Sequence, residues 1–302
     1  MPAKHTRTVL WGLMMNVSEE YQKFCKEKGV QFQLDESVGS YDKTTLFCPA
    51  GMQQFKEKFK SEETGTLANI QSCIRLKDFD EIGDGTHFLH FKMVGLFSFR
   101  RMTLKQAIDF WMEFLEDRLL LSVEVVTIHP DKMEDWKGLY DEYDLLIIKP
   151  DEECIWTDGD IGGYCTEFYI RDIEIGNIVN PLGTCIDAGF GLERLQNILD
   201  AAEDKSREDI LIETSKVILQ SGFVPSNKEQ GYVLRKILRD LFKLGSTWDN
   251  PHYQKEKERQ ERLMREYSRL KNKKKFKSKT KEWWLDTMGM DVDFIESLEN
   301  KL

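Results

Sequence analysis

The 302-residue chain has no Cys-x-x-Cys pair, no clear cleavage site behind its short N-terminal apolar patch, and no long uninterrupted apolar run. The first absence argues against a zinc ribbon or a disulfide framework, although six cysteines (Cys25, Cys48, Cys73, Cys154, Cys165 and Cys185) are scattered through the sequence. The second argues against export. The third leaves nothing near the roughly 20 apolar residues that a membrane helix needs. An internal repeat is missing too, as is the regular strand–helix alternation of a doubly wound sheet. These absences lead to the expectation of a soluble, acidic protein of the reduced cytoplasm, with no membrane partner and no zinc.

What is present is enough to fold. Apolar residues make up 40% of the chain and aromatics 11%, which excludes general disorder. The 43 basic and 53 acidic residues give a formal charge of −10, but the distribution is uneven. Residues 251–281 hold thirteen Lys or Arg against four Glu, and LKNKKKFKSK at 270–279 is almost wholly basic. Such a run is either a solvated helix face or a contact for a phosphate backbone, and composition does not choose between them.

Elements mix without regular order up to about residue 200. Ser18-Glu19-Glu20, with Tyr21, Phe24 and Cys25 behind them, reads as a capped helix ending near Gly29. Val30, Phe32 and Leu34 alternate as in a strand. FLHFKMVGLFSF at 88–99 reads as a buried strand and turn around Gly95, and Thr103 caps a helix running through TLKQAIDFWMEFLEDRL. Strands follow at 123–128, 145–149 and 166–180, with a polar helix near 131–143 and an apolar one at 191–199. Beyond 200 the chain reads as helix: DILIETSKVILQSG, then GYVLRKILRDLFKLG, then a turn-rich linker at 246–256 into the basic segment. The expected fold is α+β, an antiparallel sheet flanked by helices over 1–200 and a small helical domain over 201–302.

Three stretches look unlike ordinary core. QSCIRLKDFDEIGDGTHFLHFKMVGLFSF at 71–99 places Arg75 at the end of an apolar strand before an aromatic one, where a bidentate guanidinium and a ring platform suit a nucleotide. IDAGFGLERL at 186–195 sets Asp187 and two glycines before a helix carrying Arg194, so that small residues make room for a ligand. IWTDGDIGGYCTEFYI at 155–170 and EIGNIVN at 174–180 gather Asp158, Asp160, Glu167, Glu174 and Asn177, oxygen donors suited to an amino group or Mg2+. Each, taken singly, also fits an incidental hairpin, a strand-to-helix turn or an acidic loop.

In this order the stretches resemble the motifs of class II aminoacyl-tRNA synthetases, and specifically the alanyl-tRNA synthetase family. TTLFCPAGMQQFKEKF at 44–59 is similar to the segment around its first motif, and QSCIR with FKMVGLFSF to its second. CTEFYI and EIGNIV resemble its alanine-pocket strands and IDAGFGLERL its third motif. VPSNKEQGYVLRKILRDLFKLG at 224–245 and WWLDTMGMDVDFIESL at 283–298 resemble its tRNA-recognition segments.

The resemblance implies an alanine–tRNA ligase using ATP and Mg2+. Arg75 would grip the α-phosphate, and Arg194 would contact the γ-phosphate and cover the adenine. Phe91 would be the opposite platform, with His87, Met93 and Gly191 lining the nucleotide site. Trp156 and Val179 would shape a small pocket above Gly189, Asn177 would orient the alanine, and Asp187 would pair with its ammonium. Asn227 and Asp286 match residues that read the G·U pair of the tRNA(Ala) acceptor stem, and Arg239 one that holds the stem. Arg235 and the run Lys273, Lys274 and Lys275 join them as candidate tRNA contacts. Gly176 stands where the family has Trp, which opens the question of a wider alanine pocket. The chain ends at Leu302, so the resemblance implies a minimal, monomeric form without editing or C-terminal domains. Two other readings of the same residues are a ligase with a non-tRNA acceptor and an inactive RNA-binding relative.

Overall fold

The computed structural model describes residues 15–42, 44–143, 146–202 and 204–270, with the short stretches 283–284, 289–290 and 295–296. The chain divides into two compact units, Met1–Lys205 and Ser206–Leu302.

The first unit is built on a nine-stranded sheet. Its strands are β1 (Gln31–Asp35), β2 (Gly65–Ile74), β3 (His90–Phe99), β4 (Val125–Ile128), β5 (Ile147–Pro150), β6 (Ile155–Asp158), β7 (Ile161–Ile170), β8 (Ile173–Val179) and β9 (Cys185–Gly191). They run in the order β1-β2-β3-β9-β8-β7-β4-β5, and β6 pairs with β7 off this path. The central pairs are antiparallel, as expected, but β1–β2 and β4–β5 are parallel, so the sheet is mixed.

Period-two alternation divides this sheet into two faces with different work. Ala68 and Ile70 of β2, Val94 and Leu96 of β3, Ile178 of β8, and Ile186, Ala188 and Phe190 of β9 belong to the main core. That core also takes in α1 (Val17–Glu27), α2 (Leu104–Met112) and α3 (Leu192–Asp200). Trp111 of α2 stacks on Phe190 at 3.9 Å and on Tyr21 of α1 at 5.4 Å. Burial of such rings contributes about 2–3 kcal/mol each. The intervening residues, among them Met93, Asn177, Val179, Asp187 and Gly189, fall on the other face and line a cavity.

The helices start where local chemistry dictates. Asn16 caps α1 by accepting from the Glu19 amide at 3.1 Å. Thr103 and Gln106 form a reciprocal capping box at the start of α2. After Met112 that helix widens into a π-turn over Glu113–Arg118. Three readings of the sequence are corrected. Gly95 makes no turn: β3 runs straight through it, paired with Asn69 of β2 and Gly189 of β9, and glycine is needed because a Cβ there would meet Phe97 at 2.5 Å, while its carbonyl accepts the Tyr21 hydroxyl at 2.9 Å. The segment near 131–143 is a series of short helical turns from Pro130 to Tyr140. The 246–256 linker ends early, since Asn250 accepts from the His252 amide at 2.9 Å and starts a helix at Pro251.

The second unit contains α4 (Arg207–Gln220), α5 (Glu229–Lys243) and α6 (Pro251–Leu270). Ser206 caps α4 through the Asp209 amide. Ile210, Leu211 and Ile218 of α4, together with Leu234, Ile237, Leu238 and Leu241 of α5, are buried. Leu263, Tyr267 and Leu270 of α6 pack with Trp284, Met290 and Ile295. Among the described residues, no helix is long and apolar enough to cross a membrane.

Candidate active site

The sheet face opposite the main core, partly covered by the helical segment 51–60, opens into a cavity of about 650 Å³. Its lining brings together Arg75, His87, Phe91, Met93, Trp156, Asn177, Val179, Asp187, Gly189, Gly191 and Arg194. The sequence singled out every one of these. They arrive from β3, β6, β8 and β9, from the connection between β2 and β3 that carries Arg75 and His87, and from the first turn of α3, which follows β9 without a loop.

At one end, Arg75 leaves β2 and is held in two ways. Its Nε donates to the Pro49 carbonyl at 3.0 Å, and its guanidinium lies 4.9 Å from the centre of the Phe91 ring. Arg194 projects from α3 and donates to the carbonyls of Thr86 (3.3 Å) and Glu174 (2.7 Å), with the Glu174 carboxylate 3.4 Å away. His87 sits between Asp84, 2.6 Å from its Nδ1, and Glu81, 3.2 Å from its Nε2. The loop between β2 and β3 is thereby tied to itself and, through Thr86, to α3.

Asp187 lies at the other end. It is 9% exposed, and burial together with the nearby charge of Asp158 pushes its carboxyl up to about 7. Neither a hydrogen-bond donor nor a cation among the described residues offsets this. A carboxyl so placed is prepared for a ligand that carries its own positive charge. Asp158 itself is taken up by Lys56 at 2.7 Å and Gln53 at 3.0 Å, and Asp160 is exposed in a turn, so the acidic residues of 155–170 do not converge on one point.

The floor beside Asp187 is main chain. Gly189 faces Asn177 across β8–β9 and Gly95 across β3–β9. A Cβ on Gly189 would come within 2.7 Å of the Met93 sulfur, whose thioether fills the gap above it. Gly176 does not widen the site. A Cβ there would meet the Gly189 carbonyl and the Phe190 ring, each at 2.5 Å, so that volume is already occupied.

One contributor was invisible in the sequence, and another sits elsewhere than expected. Glu193 is half-buried in the first turn of α3 and accepts from the Lys92 amide of β3 at 2.8 Å; desolvation pushes its carboxyl up to about 7. Its position inside the third motif was the available signal, but nothing there announced a strand–helix clamp. Met93 was expected to line the nucleotide end, yet its sulfur reaches both Gly189 and the Gly51 amide, at 3.5 Å from the latter.

The candidate tRNA residues lie in the second unit. Arg235 forms an ion pair with the buried Glu256 at 3.2 Å and also donates to the Asn227 side-chain oxygen. Arg239 donates to the Gly289 carbonyl at 3.0 Å beside the Tyr232 ring. Asp286, Lys273, Lys274 and Lys275 lie outside the described residues.

The chain is similar to several known proteins. An alanine–tRNA ligase of Endomicrobium trichonymphae is 30% identical over 77% of this chain and 35% of its own length. One from Rhodopirellula baltica is 32% identical over 64% of this chain and 25% of its own. The chain thus spans about a third of the length of the curated relatives it matches. A pyrrolysyl tRNA synthetase structure from Desulfitobacterium hafniense aligns with a TM-score of 0.39 and 13% identity, over 62% of this chain and 69% of that one. The family model for tRNA synthetases class II (A) matches residues 16–176, more than half of the sequence. The chain belongs to the class II (A) tRNA synthetase family.

Proposed function

We propose that this chain activates alanine with ATP to alanyl-adenylate and passes the alanyl group to the 3′-terminal adenosine of tRNA(Ala). The observation that carries the reading is Asp187: a buried carboxyl without a counter-charge, beside a glycine floor and walled by Val179 and Trp156. Its lost hydration is recovered only when an ammonium arrives. The main-chain floor at Gly189, already closed over by the Met93 thioether, leaves room for a small side chain only, and the curated relatives are named alanine–tRNA ligases.

The chemistry asks for charge placement rather than a side-chain nucleophile. Adenylation is an in-line attack by the alanine carboxylate on the α-phosphorus of ATP, expelling pyrophosphate. Asp187 anchors the ammonium and Asn177 orients the carboxylate. Arg75 turns from the Phe91 ring to the α-phosphate, where its fork neutralises the charge that builds up. Arg194 meets the outer phosphates, and Phe91 offers a face for the base. His87, Met93 and Gly191 complete the nucleotide wall. The Glu174 carboxylate on the cavity wall is a hard oxygen donor and fits Mg2+, which would neutralise phosphate charge when bound.

The first unit would then perform activation, and the second would hold the acceptor stem through Asn227, Arg235, Arg239 and Asp286. Lys273, Lys274 and Lys275 would add phosphate contacts. Alanine-dependent exchange of pyrophosphate into ATP, together with charging of tRNA(Ala) with and without its acceptor G·U pair, tests the reading. Exchange and charging that both require alanine are expected. Exchange without charging would point to a non-tRNA acceptor, and neither activity would leave a binding protein.

A further inference from the structure

We infer that Cys154, Cys165 and Glu167 form a binding site for a thiophilic divalent cation of the zinc class, set in the wall behind the amino-acid end of the cavity. The two cysteines are eleven residues apart, far from any Cys-x-x-Cys spacing. Strand pairing brings them together. Ile155 of β6 faces Tyr164 of β7, so Cys154 lies opposite Cys165, and the Cys165 amide donates to the Cys154 carbonyl at 2.9 Å. Glu167 stands two residues further along β7, on the same face as Cys165. The two sulfurs and a Glu167 oxygen all lie within 4.8 Å of one another.

Zinc bonds of about 2.3 Å to sulfur and 2.0–2.2 Å to oxygen place tetrahedral ligands about 3.5–3.8 Å apart. The separations exceed this by about 1 Å at most, a gap within reach of side-chain rotation. Supporting contacts are in place. The Tyr169 hydroxyl donates to Glu167 Oε2 at 2.7 Å, and Thr127 Oγ1 lies 3.0 Å from the Cys154 sulfur and 3.4 Å from Glu167 Oε2. Such partners fix ligand orientation and raise affinity. The carboxylates of Glu174 and Asp151 add negative potential around Glu167. Two thiolates favour zinc over Mg2+ or Ca2+, while burial of both sulfurs at 0% and 2% exposure keeps the site out of bulk water.

Three protein ligands leave one position for water or substrate, and Glu167 itself lines the cavity. Binding breaks two S–H bonds, forms two metal–sulfur bonds and releases two protons to buffer; no electron is transferred. The site is coupled to the pocket by register, since Cys165 pairs with Val179 and Glu167 with Asn177. The cation stands whether or not alanine is the substrate, because its detection needs neither ATP nor tRNA.

The test is an anaerobic Co2+ titration of the reduced, chelator-treated full chain. One equivalent should produce a thiolate-to-cobalt charge-transfer band and tetrahedral visible bands, release two protons, and be displaced by Zn2+. Cys154→Ser and Cys165→Ser should each abolish the band, and Glu167→Gln should weaken binding at least 10-fold. Cys48→Ser should leave it intact, with far-UV circular dichroism confirming the fold of each variant. A wild-type protein that gives no thiolate band overturns the proposal, and so does a band that survives in Cys154→Ser. Recovery before reduction of a 154–165 peptide pair two hydrogens lighter, in a protein that takes up no cobalt once reduced, also overturns it, by identifying a cross-strand disulfide instead.

Discussion

The Arg75 guanidinium rests 4.9 Å from the centre of the Phe91 ring while its Nε holds the Pro49 carbonyl, so the phosphate-gripping candidate is parked on the surface proposed to receive the base. In the proposed function, nucleotide binding would exchange a cation–π contact for a base–ring contact and a charge-assisted pair. Arg75→Lys keeps the charge but loses the planar fork. It is expected to lower kcat for alanine-dependent pyrophosphate exchange by about 10²-fold. Phe91→Leu should raise KM for ATP about tenfold with a smaller effect on kcat. Steady-state exchange kinetics separate the two.

Asp187→Asn should reduce alanine activation by at least about 10²-fold, because the incoming ammonium loses its carboxylate. In the wild type, the ionised form that binds ammonium is depleted as pH falls below about 7, so KM for alanine should rise towards tenfold per pH unit there. The variant should show no such limb.

The same group predicts an opposite trend in stability. The folded-state carboxyl of Asp187 is raised to about 7 from a usual value of 3.8, so the folded protein holds a proton that the unfolded chain releases. Its contribution is present below about pH 4 and is lost as pH rises through 7. The melting temperature of Asp187→Asn, minus that of wild type without ligands, should grow between pH 4 and 8. A flat difference would show that Asp187 is not buried without a partner.

Glu193→Ala should destabilise the first unit by about 1–3 kcal/mol, since the Lys92 amide of β3 loses its acceptor. Glu193→Gln retains an acceptor and should recover much of this in denaturant unfolding.

In the second unit, Glu256→Ala removes the carboxylate that Arg235 and Arg259 share and should cost about 1–3 kcal/mol. Neutralising Lys273, Lys274 and Lys275 should leave alanine activation unchanged. It should flatten the salt dependence of tRNA binding by about 0.9 in log–log slope for each phosphate that is no longer neutralised.

The sequence made the central strands and every cavity residue named from its motifs legible, because chemistry-bearing side chains sit among alternating apolar ones, as in IDAGFGLERL. It was less informative where partners are distant in sequence. Nothing local told that β1 and β4 pair in parallel with β2 and β5. Nothing revealed that Arg235 spends its charge on Glu256, twenty-one residues away. The basic composition of 251–270 hid a helix core of Tyr253, Gln260 and Leu263. Cys154 and Cys165 looked scattered because their proximity is a property of hairpin register, which a spacing rule cannot read. Gly176 read as an opening, whereas the Phe190 ring fills that volume from the neighbouring strand.

The glycine floor sets a direction for change. Gly189 already carries the smallest side group available, so no substitution at the base of the pocket can deepen it; mutation there only fills. Broader amino-acid acceptance has to come through the walls, by trimming Val179, Trp156 or Met93. Narrower acceptance lies one methyl group away, at Gly189, where only the flexible Met93 thioether has to yield. Drift at this floor is thus a one-way valve, biased towards stricter exclusion.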